Sequence, residues 1–375
     1  MTEYRIAKPE DKNAIIDFIN MVFSMAHRPH DFGDLLPKAY AKDCCFEPEH
    51  FIAVTDGRIE GCVGLLPVKM TVLGEEVRVG IVGSVSAHPH AHGAGHMKGC
   101  MGLMLDYAKK NGFQLLYLGG RRQRYEYFGF SQGGMAIGFD LDAGNFKHGF
   151  RGVDASAFTF EPVDAYAAQA AELYNAQPVH GQRDAGNFAM IARSWNCAGY
   201  AVLKNGAFAG YLVGTADSIS EMTLADEADA QAAVLAWYLR GGEKGLHIAA
   251  PVWNTARVRL FSRLAQGIHA GTFDMFRILD WETVIRLGLS VKTTFTRLPD
   301  GETVLGCDGT NISVAVHGNK ADVHKTEAPA EYAFDHLAAQ DLLMAAHRWV
   351  DTSAMPACVE QWFPLAITGF GADGF

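Results

Sequence analysis

Residues 85–98, Val-Ser-Ala-His-Pro-His-Ala-His-Gly-Ala-Gly-His-Met-Lys, constrain this chain more than any other stretch. A strand-like run over 77–85 is halted by Pro89 and passes through Gly93-Ala94-Gly95 into a helical pattern that lasts to about Lys110. Met97, Met101, Met104, Leu105 and Ala108 recur on one helical face, and Gly112 suits a C-cap. A strand that feeds a Gly-rich turn and then a helix builds an anion site. The first amides of the helix lack intrahelical partners, the dipole adds partial positive charge there, and glycine removes the Cβ that would block a phosphate.

The flanking sequence extends the α/β pattern. A strand over 4–7 precedes a helix from Pro9 to about Ser24, whose apolar face carries Ile15, Ile16, Phe18, Ile19 and Phe23. Runs at 51–54 and 61–66 flank the turn Asp56-Gly57, and runs at 68–73 and 77–85 form a second hairpin about Gly74. Residues 115–118 read as a buried strand. The middle third repeats this order: residues 201–210 resemble 53–61, and a helix follows from about Ala228 to Arg240. The matching junction of this second copy has no glycine. It carries Asp226, Glu227 and Asp229, which cap a helix well but repel a pyrophosphate. One anion site is therefore expected, in the first copy. Beyond Asp280 the pattern changes: strands are expected at 293–297 and 311–316, a helix at about 334–348, then a Gly-rich tail over 368–375.

Composition narrows the class. The 375 residues are 49% hydrophobic and 20% charged with a net charge of -10, which fits a globular protein and argues against a general nucleic-acid binder. Seven cysteines without a CxxC pair suggest reduced thiols, neither a disulfide framework nor a metal site. His88, His90 and His92 have no carboxylate grouped with them, so no metal is expected there either. The N-terminus lacks an apolar signal core and no apolar run approaches ~18 residues, so a cytoplasmic protein without a membrane partner is expected.

Just past residues 115–118 stands Arg121-Arg122-Gln123-Arg124-Tyr125-Glu126-Tyr127-Phe128-Gly129-Phe130. A tyrosine there can protonate a departing thiolate, and the arginines can hold phosphates or lower the Tyr125 pKa. A solvated basic loop with aromatic packing is the plainer alternative.

His88-Pro89-His90-Ala91-His92-Gly93-Ala94-Gly95-His96-Met97 resembles motif A of the Gcn5-related N-acetyltransferase (GNAT) superfamily, His-Pro-x-x-Arg-Gly-x-Gly-x-Gly/Ala. His92 replaces the usual Arg and Met97 the usual small residue. The resemblance implies acetyl-CoA as cofactor. Its pyrophosphate would lie on the amides of Gly93, Ala94, Gly95, His96, Met97 and Lys98, with His92 and Arg121 beside it and the pantetheine arm along Val85 and Ser86. It also implies Tyr125 as general acid. The layout as a whole resembles the enhanced intracellular survival (Eis) family. This implies tandem GNAT-fold domains with mixed central sheets (1–145 catalytic, 146–282 degenerate) and a sterol-carrier-like α+β domain over 283–375. It further implies a homo-oligomer, an acceptor that is a small-molecule or lysine-bearing amine, and the C-terminal carboxylate of Phe375 as general base. The loop between Phe23 and Tyr40 is expected to wall the acceptor site. The competing expectations are a non-catalytic acyl-CoA binder and a ligand-binding protein built on the third domain.

Overall fold

The computed structural model describes residues 1–241, 244–271 and 274–375. The first third supplies β1 (Thr2–Ile6), α1 (Lys12–Ala26), α2 (Phe32–Leu35), α3 (Pro37–Tyr40), β2 (Glu49–Thr55), β3 (Arg58–Val72), β4 (Glu75–Ala87), α4 (His96–Lys110), β5 (Leu115–Leu118), α5 (Arg122–Tyr125) and β6 (Ser131–Gln132). Strands β1 to β4 form an antiparallel meander, and β5 joins β4 in parallel after the α4 crossover. The runs expected at 61–66 and 68–73 are one strand, β3, which passes straight through Pro67. Proline is tolerated there because the β2–β3 ladder has ended at Leu65, so no partner needs its missing N–H on that side. Helix α4 covers one sheet face, packing Cys100, Met101, Met104 and Ala108 against Phe51, Val63, Leu65 and Leu116.

The middle third supplies β7 (Ile137–Asp142), α6 (Ala143–Gly149), β8 (Phe158–Pro162), α7 (Ala167–Asn175), β9 (Val179–His180), α8 (Phe188–Ala192), β10 (Ala198–Lys204), β11 (Ala207–Thr215), β12 (Ser218–Leu224), α9 (Ala230–Gly241), β13 (Gly245–Ala250), α10 (Thr255–Leu264), β14 (Gly267–Ala270) and β15 (Met275–Ile278). A meander from β10 to β12, a crossover helix α9 and a parallel strand β13 repeat the order of the first third. The α9 junction is closed by its own acids. Asp226 caps the amide of Ala228, Glu227 pairs with the buried Arg257, and Asp229 meets Lys204 at 2.7 Å.

The two sheets exchange strands, which the expected cuts at 145/146 and 282/283 do not anticipate. The second sheet runs β14-β7-β13-β12-β11-β10-β8, taking β7 from before the expected 145/146 cut. The first sheet runs β1-β2-β3-β4-β5-β15-β6, taking β15 from the end of the middle third, and β9 pairs with β3. Strand β15 fits there because Met275, Phe276 and Ile278 are all buried, between the α4 side and the opposite face.

The last third holds α11 (Trp281–Thr293), β16 (Gly301–Cys307), β17 (Thr310–His317), β18 (Lys320–Lys325), β19 (Tyr332–Phe334), α12 (His336–Met344) and α13 (Ala357–Trp362). Its sheet, β18-β17-β16-β19, shares one core with the back of the first sheet: Leu305, Ile312 and Val314 join Val68, Met70, Ile81 and Phe276 through Ile285 and Leu289 of α11. Two expectations change here. Residues 293–297 are not a strand; Thr293 ends α11, and the Thr294 and Thr296 amides bond back to its last turn. Their β-branched character is overridden by the amphipathic run that buries Val284, Ile285 and Leu289. The helix expected from 334 begins at His336, capped by Asp335, and ends at Met344.

Candidate active site

Strands β4 and β5 pair only from Val79–Leu115 to Val82–Leu118 and then part. A bulge in β4 marks the parting: Gly83 faces Gly64 and Ser86 faces Cys62, leaving Ser84 and Val85 opposite Val63 alone. A cavity of about 670 Å³ opens there, lined by Val82 to Val85 on one side and Leu118 to Arg121 on the other. Phe23, His27, Phe32 and Leu36 wall it from the α1–α3 region. Trp195 completes the wall from the middle third, at φ 56°, ψ 41°.

Beyond the bulge, β4 runs into the glycine turn. Gly93 and Gly95 have φ of +86° and +83°, and an added Cβ would meet nothing within 4 Å at either. Gly95 caps α4 without any side-chain bond, so the first amides of a 15-residue helix stay open. His92, Gly93, Ala94 and Lys98 are exposed around this turn. Three side chains of the expected cofactor set turn away and leave only backbone there. His96 is buried against Glu60 at 3.0 Å and the Tyr4 hydroxyl at 3.2 Å; Met97 packs into the α4 core; Ser86 donates to the Ser84 carbonyl. Lys98 lies 4.8 Å over the Tyr127 ring. His88 accepts from the His90 amide and stacks on Phe18.

Tyr125 and Phe375 line the same cavity, with Arg121 and Arg124 beside them. Tyr125 is buried over Gly120, where a Cβ would come within 2.8 Å of its ring, and burial raises its pKa, which keeps the phenol protonated. Glu126 is engaged by Arg122 at 2.9 Å.

The tail reaches this cavity through a series of anchors. Phe370 packs on Tyr117 with ring centroids 4.7 Å apart. Lys38, fully buried, donates to the carbonyls of Ala372 and Gly374. Asp373 is gripped by Arg183 through Nε at 3.1 Å and Nη2 at 2.9 Å, and by the Tyr174 hydroxyl at 2.5 Å. The same guanidinium holds Glu221 at 2.7 and 2.9 Å, and Tyr211 donates to Glu221 at 2.7 Å. Burial alone would raise the Asp373 carboxyl, but Arg183, Tyr174 and Lys38 together hold it below its ordinary value. Burial pushes Lys38 down to about 8. The Phe375 ring then lies in a berth cut by two glycines. A Cβ would come within 2.6 Å of it at Gly83 and 2.9 Å at Gly64, and Tyr40 stacks on it at 5.7 Å. Lys38, Tyr40, Ser84, Arg183, Trp195 and Asp373 carry no sequence signature; only the flexible tail hinted that its end could travel.

Residues 3–133 match the family model described as an acetyltransferase (GNAT) domain. The chain has the GNAT acetyltransferase fold. Similar structures span its whole length. A GCN5-related N-acetyltransferase from Anabaena variabilis shares 14% identity at a TM-score of 0.66, covering 100% of both chains. Eis1 from Mycobacterium abscessus shares 16% at 0.65, again over 100% of both. A probable N-acyltransferase from Enterococcus faecalis shares 15% at 0.64, over 90% of this chain and 88% of that one. Identities this low speak for the GNAT fold alone. No curated protein matches the chain.

Proposed function

We propose that the chain is an acetyl-CoA-dependent N-acetyltransferase that moves an acetyl group to a primary amine by direct attack. The observation that carries this reading is the shared cavity. Tyr125 and Phe375, distant in sequence, line one space beside the strand that leads to the open α4 turn. Acetyl-CoA, when bound, supplies an activated acyl group and a thiolate leaving group. The residues present suit it: uncapped amides at a positive helix end, two glycines free of Cβ hindrance, and a β4 edge released by the bulge at Ser84 and Val85. Tyr125 holds a proton for the leaving sulfur. The Phe375 carboxylate takes the proton of the attacking amine. Backbone amides and glycine carbonyls of the parted strands orient the reacting groups, and Phe32, Leu36 and Trp195 limit water.

Acids lie next to the cavity. A neighbouring cavity of about 360 Å³ shares Tyr117 and Gly371 with it and is lined by Glu221, Asp274 and Asp373. Arg183 holds Glu221 and Asp373, and Arg121 and Arg124 line the larger cavity, so the two cavities together present charges of both signs.

The deciding experiment is a panel of polyamines, aminoglycosides and lysine peptides offered with acetyl-CoA, reading released thiol. Silence across the panel would instead support a non-catalytic acyl-CoA binder. Tyr125→Phe is expected to cut turnover about a hundredfold or more while acetyl-CoA affinity stays within twofold. Unchanged turnover removes Tyr125 from the reaction. Gly95→Glu puts a side chain and a negative charge at φ +83° beside the open amides. It is expected to weaken acetyl-CoA binding at least tenfold by calorimetry, with helix content unchanged by circular dichroism.

A further inference from the structure

Three polar side chains form a chain beside the Phe375 ring, and the reaction described above does not use them. The Tyr40 hydroxyl lies 3.0 Å from His50 Nε2 and 2.7 Å from Ser84 Oγ. The His50 ring also bonds the Pro48 carbonyl, and burial pushes its pKa down to about 4, so it is neutral at working pH. A neutral imidazole that donates Nδ1–H to a carbonyl presents Nε2 as an acceptor. In that tautomer Tyr40 gives its only proton to His50. Its oxygen can meet Ser84 only as an acceptor, so the Ser84 proton is turned towards Tyr40. Both lone pairs of the Ser84 hydroxyl are left to serve other donors.

Ser84 stands in the cavity wall, at the bulge where β4 leaves β5, next to the Gly83 berth of Phe375. Its φ is +52°, a left-handed conformation that a residue with a Cβ adopts at a cost and glycine adopts freely. A serine held in a glycine conformation, at a functional cavity, with its proton committed elsewhere, points to use of the oxygen.

We infer that the Ser84 hydroxyl receives the acceptor amine. Its oxygen accepts a hydrogen bond from an amine N–H and so aims the nitrogen lone pair at the acyl carbon, while Tyr40 and His50 keep the hydroxyl proton turned away. The inference rests on reading this cavity as the acceptor site. It also fits the primary-amine acceptor. A primary amine offers one N–H to Ser84 and a second for the carboxylate to take, whereas a group that only accepts would set lone pair against lone pair.

The test uses the full chain and the panel amine that turns over fastest. Ser84→Ala is expected to lower kcat/KM about tenfold, the loss of one oriented hydrogen bond. Ser84→Gly is expected to show the same loss yet melt no lower than wild type, because glycine suits φ +52° without strain. Tyr40→Phe, which frees the Ser84 proton to swing into the cavity, is expected to cost a smaller factor, mostly in KM. Acetyl-CoA affinity should hold in all three. Wild-type kcat/KM in Ser84→Gly, with the wild type itself active, overturns the role of Ser84 and leaves the acetyltransferase reading standing. An activity loss in Ser84→Gly that tracks a fall in melting temperature overturns it too, as a structural effect. A wild type silent with every amine removes the acceptor site itself and the inference with it.

Discussion

A short peptide fused after Phe375 is expected to abolish amine acetylation, by a hundredfold or more, without unfolding the chain. Two effects combine. The terminal carboxylate becomes an amide, which cannot take a proton from the amine, and general-base removal alone is worth about 10²–10⁴. The added residues must also leave a berth whose walls are Gly64, Gly83 and the Tyr40 ring, within a cavity already bounded by Phe32 and Trp195. The fold itself should hold, because among the described residues the three sheets include none after Phe334. Removing Phe375 separates the two effects: the carboxylate then sits one residue short on Gly374, whose carbonyl Lys38 grips. Turnover should fall again while the melting temperature changes little. Full activity in the fused chain sinks the terminal carboxylate as base and leaves Tyr125 and the α4 turn to be explained with another one.

Arg183→Met is expected to destabilise the protein by about 3–5 kcal/mol at neutral pH, the usual result of stripping the cation from buried carboxylates. Both Asp373 and Glu221 lose a bidentate partner at once. The pH dependence gives a signature. In the wild type the Asp373 carboxyl is held below its ordinary value, so its stabilisation is complete above that ordinary value and is lost only as pH falls through the lowered one. Without Arg183, burial pushes the same carboxyl upwards, and it opposes folding until acid protonates it. The gap between variant and wild type should therefore narrow as pH is lowered from about 7.5 towards 5, read as denaturant midpoints. Adding Glu221→Gln should recover part of the loss. Equal midpoints for variant and wild type would show that the tail anchor contributes little.

The α4 turn was legible because its signal is local. Two glycines at positive φ, a proline before them and an amphipathic run after them lie within a short window. The closed second junction was legible for the same reason, since Asp226 caps the residue two positions on. What stayed hidden depends on partners far apart in sequence. Met275-Phe276-Arg277-Ile278 would suit almost any sheet, and nothing in it says that it pairs with Leu115 to Leu118. Gly64 and Gly83 read as ordinary strand glycines until Phe375 is placed against them. His96 sits in the middle of the phosphate-binding pattern, yet its ring belongs to Glu60 and Tyr4. Lys38 and Arg183 are plain loop residues in the sequence, and only the folded tail gives them work.

The strand exchange bears on how this chain can be made and altered. Strand β15 lies between β5 and β6, so the first sheet cannot close until residue 278 has left the ribosome, long after the α4 turn has been synthesised. The second sheet in turn needs β7, made before any of its other strands. Neither unit can mature alone during synthesis, and each acts as scaffold for the other. A second copy whose helix start is filled by its own carboxylates thus keeps a purpose: it returns one strand to the first sheet, lends Trp195 to the cavity and holds the tail through Arg183 and Glu221. Trimming the chain to the 3–133 segment would leave a sheet with an open edge beside β5, exposed to pairing with other chains.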